Sequence, residues 1–129
     1  MSFPIFVWFK DEKTKKEWKL MKPVLQLIAL AIGRYFVDHN HQMIITDIMS
    51  EAAEDKRLKR VSHSHTEGRA FDFRTHGIPQ DFLDSVEIKF ENLFKQYAAL
   101  SLATGKENLI LYHDNGNGKH AHVQIRRNV

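Results

Sequence analysis

The sequence predicts an α+β fold in which an antiparallel sheet of about four strands carries two main helices on one face. Apolar residues recur at helical spacing after Pro23 and again after Pro79. Shorter segments at 43–49, 69–74, 108–113 and 120–126 are β-branched or alternate between apolar and polar residues, which is typical of strands. We therefore expect helices and strands to form one mixed domain with a polar sheet face opposite the helices.

Length and composition favour a single domain over residues 1–129. The chain has 129 residues and no cysteine, and this length suffices to bury a core without disulfides. Its formal net charge of +3 is mildly basic, which suits an anionic partner such as a cell-wall polymer or nucleic acid without selecting either.

The apolar segments do not predict export or membrane insertion. The first one, at residues 3–9, has no positively charged segment before it and is short and aromatic, unlike a secretory signal. The second, at residues 24–32, is well short of the ~20 residues that a membrane-spanning helix needs. We expect a protein without a signal peptide that is cytoplasmic as synthesised.

Each predicted helix begins at a proline, which is favoured in the first helical turn. The first is predicted from Pro23 to about Val37 and the second from Pro79 to about Leu102. The buried stripe of the second helix is formed by apolar side chains at helical spacing: Phe82, Val86, Phe90, Leu93 and Tyr97. The charged residues 50–64 lack apolar periodicity and predict a long loop, which in a compact domain is often functional.

Alternation places polar residues on one face of two predicted strands. Phe71 and Phe73 are expected in the core, so Asp72 points to the opposite face. In the returning strand, which follows an Asn-Gly-Asn-Gly turn, Val123 and Ile125 are expected in the core. The histidines of that strand therefore share the polar face with Asp72.

Three of these polar residues form a candidate metal site. Asp72 and His122 can converge on one point, and His65 can reach it from the loop that precedes its strand. Two imidazoles and one carboxylate, with a fourth position left to water, are typical of catalytic zinc, whereas structural sites usually contain cysteine. We predict one zinc ion per chain in an open site on the sheet face away from the helices.

The same segment resembles a known family of metallopeptidases. Its His-x-x-Gly-x-Ala-x-Asp pattern, formed by His65, Gly68, Ala70 and Asp72, and its later His-x-His are similar to motifs of one zinc peptidase superfamily. That superfamily contains the D-Ala-D-Ala carboxypeptidases, the phage L-alanyl-D-glutamate endopeptidases and the hedgehog signalling domain. The resemblance covers residues 25–126 in the order of elements and implies that His65, Asp72 and His122 bind zinc.

The resemblance also implies roles for residues around the metal. His120 would lie beside the zinc-bound water as the first candidate for the catalytic base, and Asp114 is the second. Residues 46–50 have no arginine where many members hold a substrate carboxylate. Arg57, Arg60, Arg69 or Arg74 could replace it, and Arg69 and Arg74 are the preferred candidates for that contact. Lys119 stands where other members have an acidic base.

The resemblance implies a zinc-dependent peptidase that hydrolyses peptide bonds of peptidoglycan stem peptides. Zinc would lower the pKa of its water towards about 7 and polarise the scissile carbonyl. Both the carboxypeptidase and the endopeptidase mode stay open. We expect a monomer with a role in phage lysis, released to the cell wall by another protein.

The same residues are compatible with two other functions. A hedgehog-like zinc-binding interaction domain would use the same ligands without hydrolysis. The segment 119–125 is also similar to the His-hydrophobic-His strand of nucleases that cut single-stranded DNA with a tyrosine. In those enzymes the tyrosine commonly follows the histidine strand, whereas Tyr35, Tyr97 and Tyr112 all precede it here, so nucleic acid is the less favoured partner.

Overall fold

The computed structural model describes residues 5–49, 67–100, 105–114 and 119–129. Within them the helices are α1 (Glu12–Glu17), α2 (Pro23–Asp38) and α3 (Gln80–Leu93), with 3-10 turns at Trp18–Leu20 and Lys95–Tyr97. The strands are β1 (Val7–Phe9), β2 (Met43–Asp47), β3 (Ala70–Arg74), β4 (Ala99–Leu100), β5 (Glu107–Asn108), β6 (Ile110–Asp114) and β7 (Lys119–Gln124). The predicted loop at 50–64, the predicted turn at 115–118 and His65 lie outside the described residues.

The fold is α+β, as predicted, but the sheet is mixed. Five strands are arranged in the order β1-β2-β3-β7-β6, and β4 pairs with β5 in a separate two-stranded sheet. Strand β1 runs parallel to β2, while the other neighbours in the large sheet are antiparallel. The prediction of an antiparallel sheet of about four strands was therefore wrong at one edge, because α1 and α2 provide the crossover that parallel pairing requires.

Helix α2 begins at Pro23, as predicted, and packs closely on the chain before β1. The carbonyl oxygen of Phe6 occupies the space that a Cβ atom at Gly33 would need. Glycine at this helical position therefore lets the backbone of the helix approach the strand edge of the sheet.

Helix α3 ends earlier than predicted. It stops at Leu93, the backbone N–H of Phe94 bonds to Phe90, and the chain continues through the 3-10 turn into β4. The prediction of a helix to about Leu102 was wrong. Leu93, predicted for the buried stripe, is also exposed, at the last residue of the helix. The rings of Phe90, Phe94 and Tyr97 still contact one another in sequence, so apolar packing continues beyond the helix in a tighter turn.

The helices cover the apolar face of the sheet. The rings of Phe36 in α2 and Phe73 in β3 meet edge-to-face at 5.5 Å, and the Tyr112 hydroxyl donates to the Leu83 carbonyl of α3 over 2.7 Å. The four residues predicted for the core from strand alternation are fully buried: Phe71, Phe73, Val123 and Ile125. This confirms that part of the predicted core.

Glu91 fixes α3 to the start of β6. Its carboxylate accepts hydrogen bonds from the backbone N–H groups of Leu109 and Ile110, each over 2.9 Å. Charge-assisted bonds of this kind hold the helix in place over the β6 edge of the sheet. Among the described residues, no helix is long and apolar enough to span a membrane.

Candidate metal centre

The pairing of β3 with β7 brings the candidate residues together. Asp72 lies directly opposite His122, and Arg74 lies opposite His120. Residues that face each other across antiparallel strands project from the same face of the sheet. Phe73 is opposite Ala121 on the helix-covered face, so the aspartate and both histidines lie on the face away from the helices.

One carboxylate contacts both histidines. Oδ1 of Asp72 is 2.9 Å from Nδ1 of His122, and its Oδ2 is 3.5 Å from Nε2 of His120. The side chain of Asp72 is 5% exposed, and those of the two histidines are 13% and 12% exposed. The three side chains, named here the Asp–His cluster, are thus held together in a largely desolvated place.

Gln124 is a second neighbour of His122 among the described residues. Its Oε1 atom is 3.0 Å from Nε2 of His122, and the glutamine is 4% exposed. Strand position explains this contact, because Gln124 is two residues beyond His122 and projects from the same face. The two nitrogens of the His122 ring therefore have different neighbours, a carboxylate at Nδ1 and an amide at Nε2.

Gly68 and Ala70, the two small residues of the motif, are closely surrounded by different parts of the chain. Gly68 has a φ of +70°, and a Cβ atom there would lie 2.5 Å from the Leu20 carbonyl oxygen. The Gly68 carbonyl also accepts from the Lys22 N–H over 3.0 Å, which ties the turn before β3 to the segment before α2. Ala70 is fully buried and lies opposite Gln124, where a larger side chain would compete for the same space.

A β-bulge adds an acidic residue to this region that the sequence analysis did not select. Ile45 pairs with Phe73 and Asp47 pairs with Asp72, so β2 advances two residues while β3 advances one. Bulges of this kind often redirect a side chain beside a functional site. The burial pattern shows the same irregularity, because Ile45 and Ile48 are both fully buried although they are three residues apart.

The described ligand pair fits a zinc ion in chemistry and nearly in distance. Two ligand atoms on one tetrahedral zinc, each about 2.0–2.1 Å from the metal, are roughly 3.3 Å apart. The Asp72 and His122 atoms, at 2.9 Å, would need to separate by a few tenths of an ångström. Within the described ranges no group of three or more His, Asp or Glu side chains is arranged to hold a metal, and the third predicted ligand, His65, lies outside those ranges.

Arg69 has a different environment from the one expected for a substrate contact. Its guanidinium is buried, where Nη1 donates to the Ile125 carbonyl over 2.7 Å and Nε donates to Glu67 over 2.6 Å. The hydrogen bond from Arg69, with a second from Arg127, holds the pKa of the Glu67 carboxyl below its usual range. This arrangement fastens the turn before β3 to the end of β7 and favours a structural role for Arg69.

Arg74 and Asp114 are the last residues of their strands, β3 and β6. Arg74 is exposed and is opposite His120, so a guanidinium is available beside the Asp–His cluster. Asp114 is the last residue of β6, and its backbone pairs with Lys119. The side chain of Asp114 lies outside the described residues.

Two of the three tyrosines, Tyr35 and Tyr112, lie on the helix side of the sheet. The Tyr35 hydroxyl is 3.1 Å from Ser85 Oγ, and the Tyr112 hydroxyl donates to the Leu83 carbonyl. Burial raises the pKa of Tyr112, with a further contribution from Glu87, so this phenol is a weak nucleophile. Neither hydroxyl shares a face with the histidines, which disfavours a tyrosine-dependent nuclease.

Comparison of the chain with protein-family models, with curated proteins and with solved structures finds no match in any of the three.

Proposed function

We propose that this protein is a zinc-dependent peptidase that hydrolyses peptide bonds of peptidoglycan stem peptides. The observation that supports it best is the Asp–His cluster, in which one buried carboxylate contacts two histidines on the sheet face away from the helices. Burying a carboxylate and two imidazoles is unfavourable unless they are paired or bind a metal. A metal site therefore explains a cluster that contributes little to the apolar core.

The roles follow from the contacts of each side chain. Asp72 and His122 would hold the metal together with His65, which the motif resemblance supplies. When bound, zinc supplies Lewis acidity that activates water and polarises the scissile carbonyl. His120 would accept a proton from the water and pass it to the leaving amine, a role supported by its Nε2 atom lying 3.5 Å from the same carboxylate.

The substrate assignment rests on the motif resemblance and on one exposed cation. Stem peptides carry carboxylates along the chain and at the terminus. Arg74, exposed opposite His120, can bind a carboxylate through two parallel hydrogen bonds. This position suits a substrate whose carboxylate lies next to the bond that is cleaved.

The proposal is tested by incubating the zinc-loaded protein with purified stem peptides and identifying the products by mass spectrometry. Loss of a terminal D-alanine would indicate the carboxypeptidase mode, and cleavage within the peptide the endopeptidase mode. Activity should disappear with a chelator, return with zinc, and be absent in Asp72→Asn, which keeps the shape of the side chain but is a poor ligand. Zinc binding without any hydrolysis would contradict the peptidase and favour a zinc-binding interaction domain.

A further inference from the structure

The two ring nitrogens of His122 have different neighbours, and this difference can determine which nitrogen binds a metal. An imidazole that binds a metal through one nitrogen normally carries a proton on the other, and the partner of that proton fixes the tautomer and the ring orientation. Nδ1 of His122 faces the carboxylate of Asp72, and Nε2 faces the amide oxygen of Gln124.

We propose that Gln124 is the positioning residue for His122, holding the ring so that Nδ1 is presented to the metal. Resting on the proposed zinc site, this inference adds a residue that the motif resemblance does not supply. With zinc bound, a proton on Nε2 would be donated to the amide oxygen over 3.0 Å, and Nδ1, 2.9 Å from the Asp72 carboxylate, would be the nitrogen left to bind the metal. The metal is expected to bind between these two atoms.

Gln124 is itself held in place, which a positioning residue requires. It is 4% exposed, and its backbone N–H donates to the Leu109 carbonyl over 2.9 Å. Across the sheet it faces the fully buried Ala70, which leaves space for the amide. A buried amide that points at a ring nitrogen therefore has little freedom to move away from it.

The contact also explains why a polar residue occupies a buried strand position. An apolar side chain of similar size would fill the same space and avoid the cost of burying an amide. The hydrogen bond to His122 offsets that cost, and partners of this kind typically contribute 10- to 100-fold to metal affinity.

The test compares zinc affinity in matched variants, measured by competition with a chromophoric chelator. Gln124→Leu should bind zinc about 10- to 100-fold more weakly than the parent protein. Gln124→Glu keeps an acceptor at the same position and should bind zinc more tightly than Gln124→Leu, because carboxylates also serve as partners of metal-bound imidazoles. Gln26→Leu serves as the control, because Gln26 is a half-buried glutamine whose amide donates only to the backbone carbonyls of Trp18 and Met21.

A second measurement reports on the ring directly. In the zinc-loaded protein, nitrogen-detected NMR of the histidine side chains should show a His122 Nε2 proton that is protected from exchange in the parent and loses that protection in Gln124→Leu. Equal zinc affinity of folded Gln124→Leu and the parent would overturn the role of Gln124 while leaving the zinc site intact. A parent protein that binds no zinc would instead overturn the proposed function itself.

Discussion

Strands β3 and β7 bury both of their faces, but with opposite chemistry. On the helix-covered face, Phe73 and Val123 are fully buried among apolar neighbours. On the other face, Asp72 and Gln124 are each only 4% exposed and contact His122. Burial of a large apolar side chain stabilises the fold by about 1.5–3 kcal/mol, whereas a buried polar group stabilises little even when it is paired. The apolar face explains the fold, and the polar face requires a functional explanation.

The largest expected effect separates catalysis from metal binding on the polar face. Replacing His120 with alanine should lower kcat on stem peptides by about 10²- to 10⁴-fold, the usual contribution of a general base. Bound zinc should stay near the parent level, because His120 contacts the Asp72 carboxylate but is not a predicted ligand. The control is His76→Ala, because His76 is exposed. Unchanged turnover in His120→Ala would show that His120 is not the base and would leave Asp114 as the candidate.

On the apolar face, a substitution is expected to lower the stability of the fold by an amount of free energy similar to the loss of catalysis above. Phe73→Ala removes a fully buried ring that contacts Phe36, and should lower the free energy of unfolding by about 3–5 kcal/mol. Urea denaturation of the zinc-free protein measures this loss. Phe94→Ala, at a half-buried position outside the helix, should lose less. A loss below about 1 kcal/mol in Phe73→Ala would show that this face is not the main core.

The turns on either side of β3 each contain a glycine with positive φ, and the two glycines can be compared by substitution. Gly68→Ala should destabilise the protein by about 1–3 kcal/mol, because φ is +70° and the Leu20 carbonyl leaves no room for a Cβ atom. Gly77 has a similar φ of +80° but nothing within 4 Å, so Gly77→Ala should show the backbone strain alone, roughly 1 kcal/mol. Thermal unfolding measures both variants, and equal losses would show that the close approach at Gly68 is unimportant.

The smallest effect concerns a carboxyl group on the helix side. Burial, together with the nearby Glu91 and Asp84, raises the pKa of Glu87 in the folded protein. The ionised form therefore destabilises the fold at neutral pH, and protonation removes that cost as the pH falls through the raised pKa. Glu87→Gln should increase stability at pH 7 by about 0.2–0.5 kcal/mol, typical of relieving a like-charge pair on a helix. The gain should vanish below pH 4, and a gain that persists there would contradict this origin.

Local patterns were sufficient for the parts of the fold that depend on local spacing. The alternation around Phe71 and Phe73 predicted a strand with a core face, and both rings are fully buried. The same alternation placed Asp72 and His122 on the opposite face, where they are in contact. Strand phase is a property of neighbouring residues, so the sequence carries it directly.

Features that depend on distant contacts were not predictable in the same way. The parallel pairing of β1 with β2 depends on a crossover through two helices, and the end of α3 on packing around Phe94. The guanidinium of Arg69 is buried because it reaches the Ile125 carbonyl, 56 residues away along the chain. No local pattern around Arg69 indicates that partner.

We propose that the polar face holds a metal through Asp72 and His122. The zinc content of the purified, zinc-supplied protein, measured by elemental analysis alongside His65→Ala, His122→Ala and the control His76→Ala, tests this proposal. We predict about one zinc per chain in the parent and in His76→Ala, as in a single site of this ligand type, and almost none in the other two variants. Zinc absent from the parent, or retained undiminished in folded His122→Ala, would contradict the account.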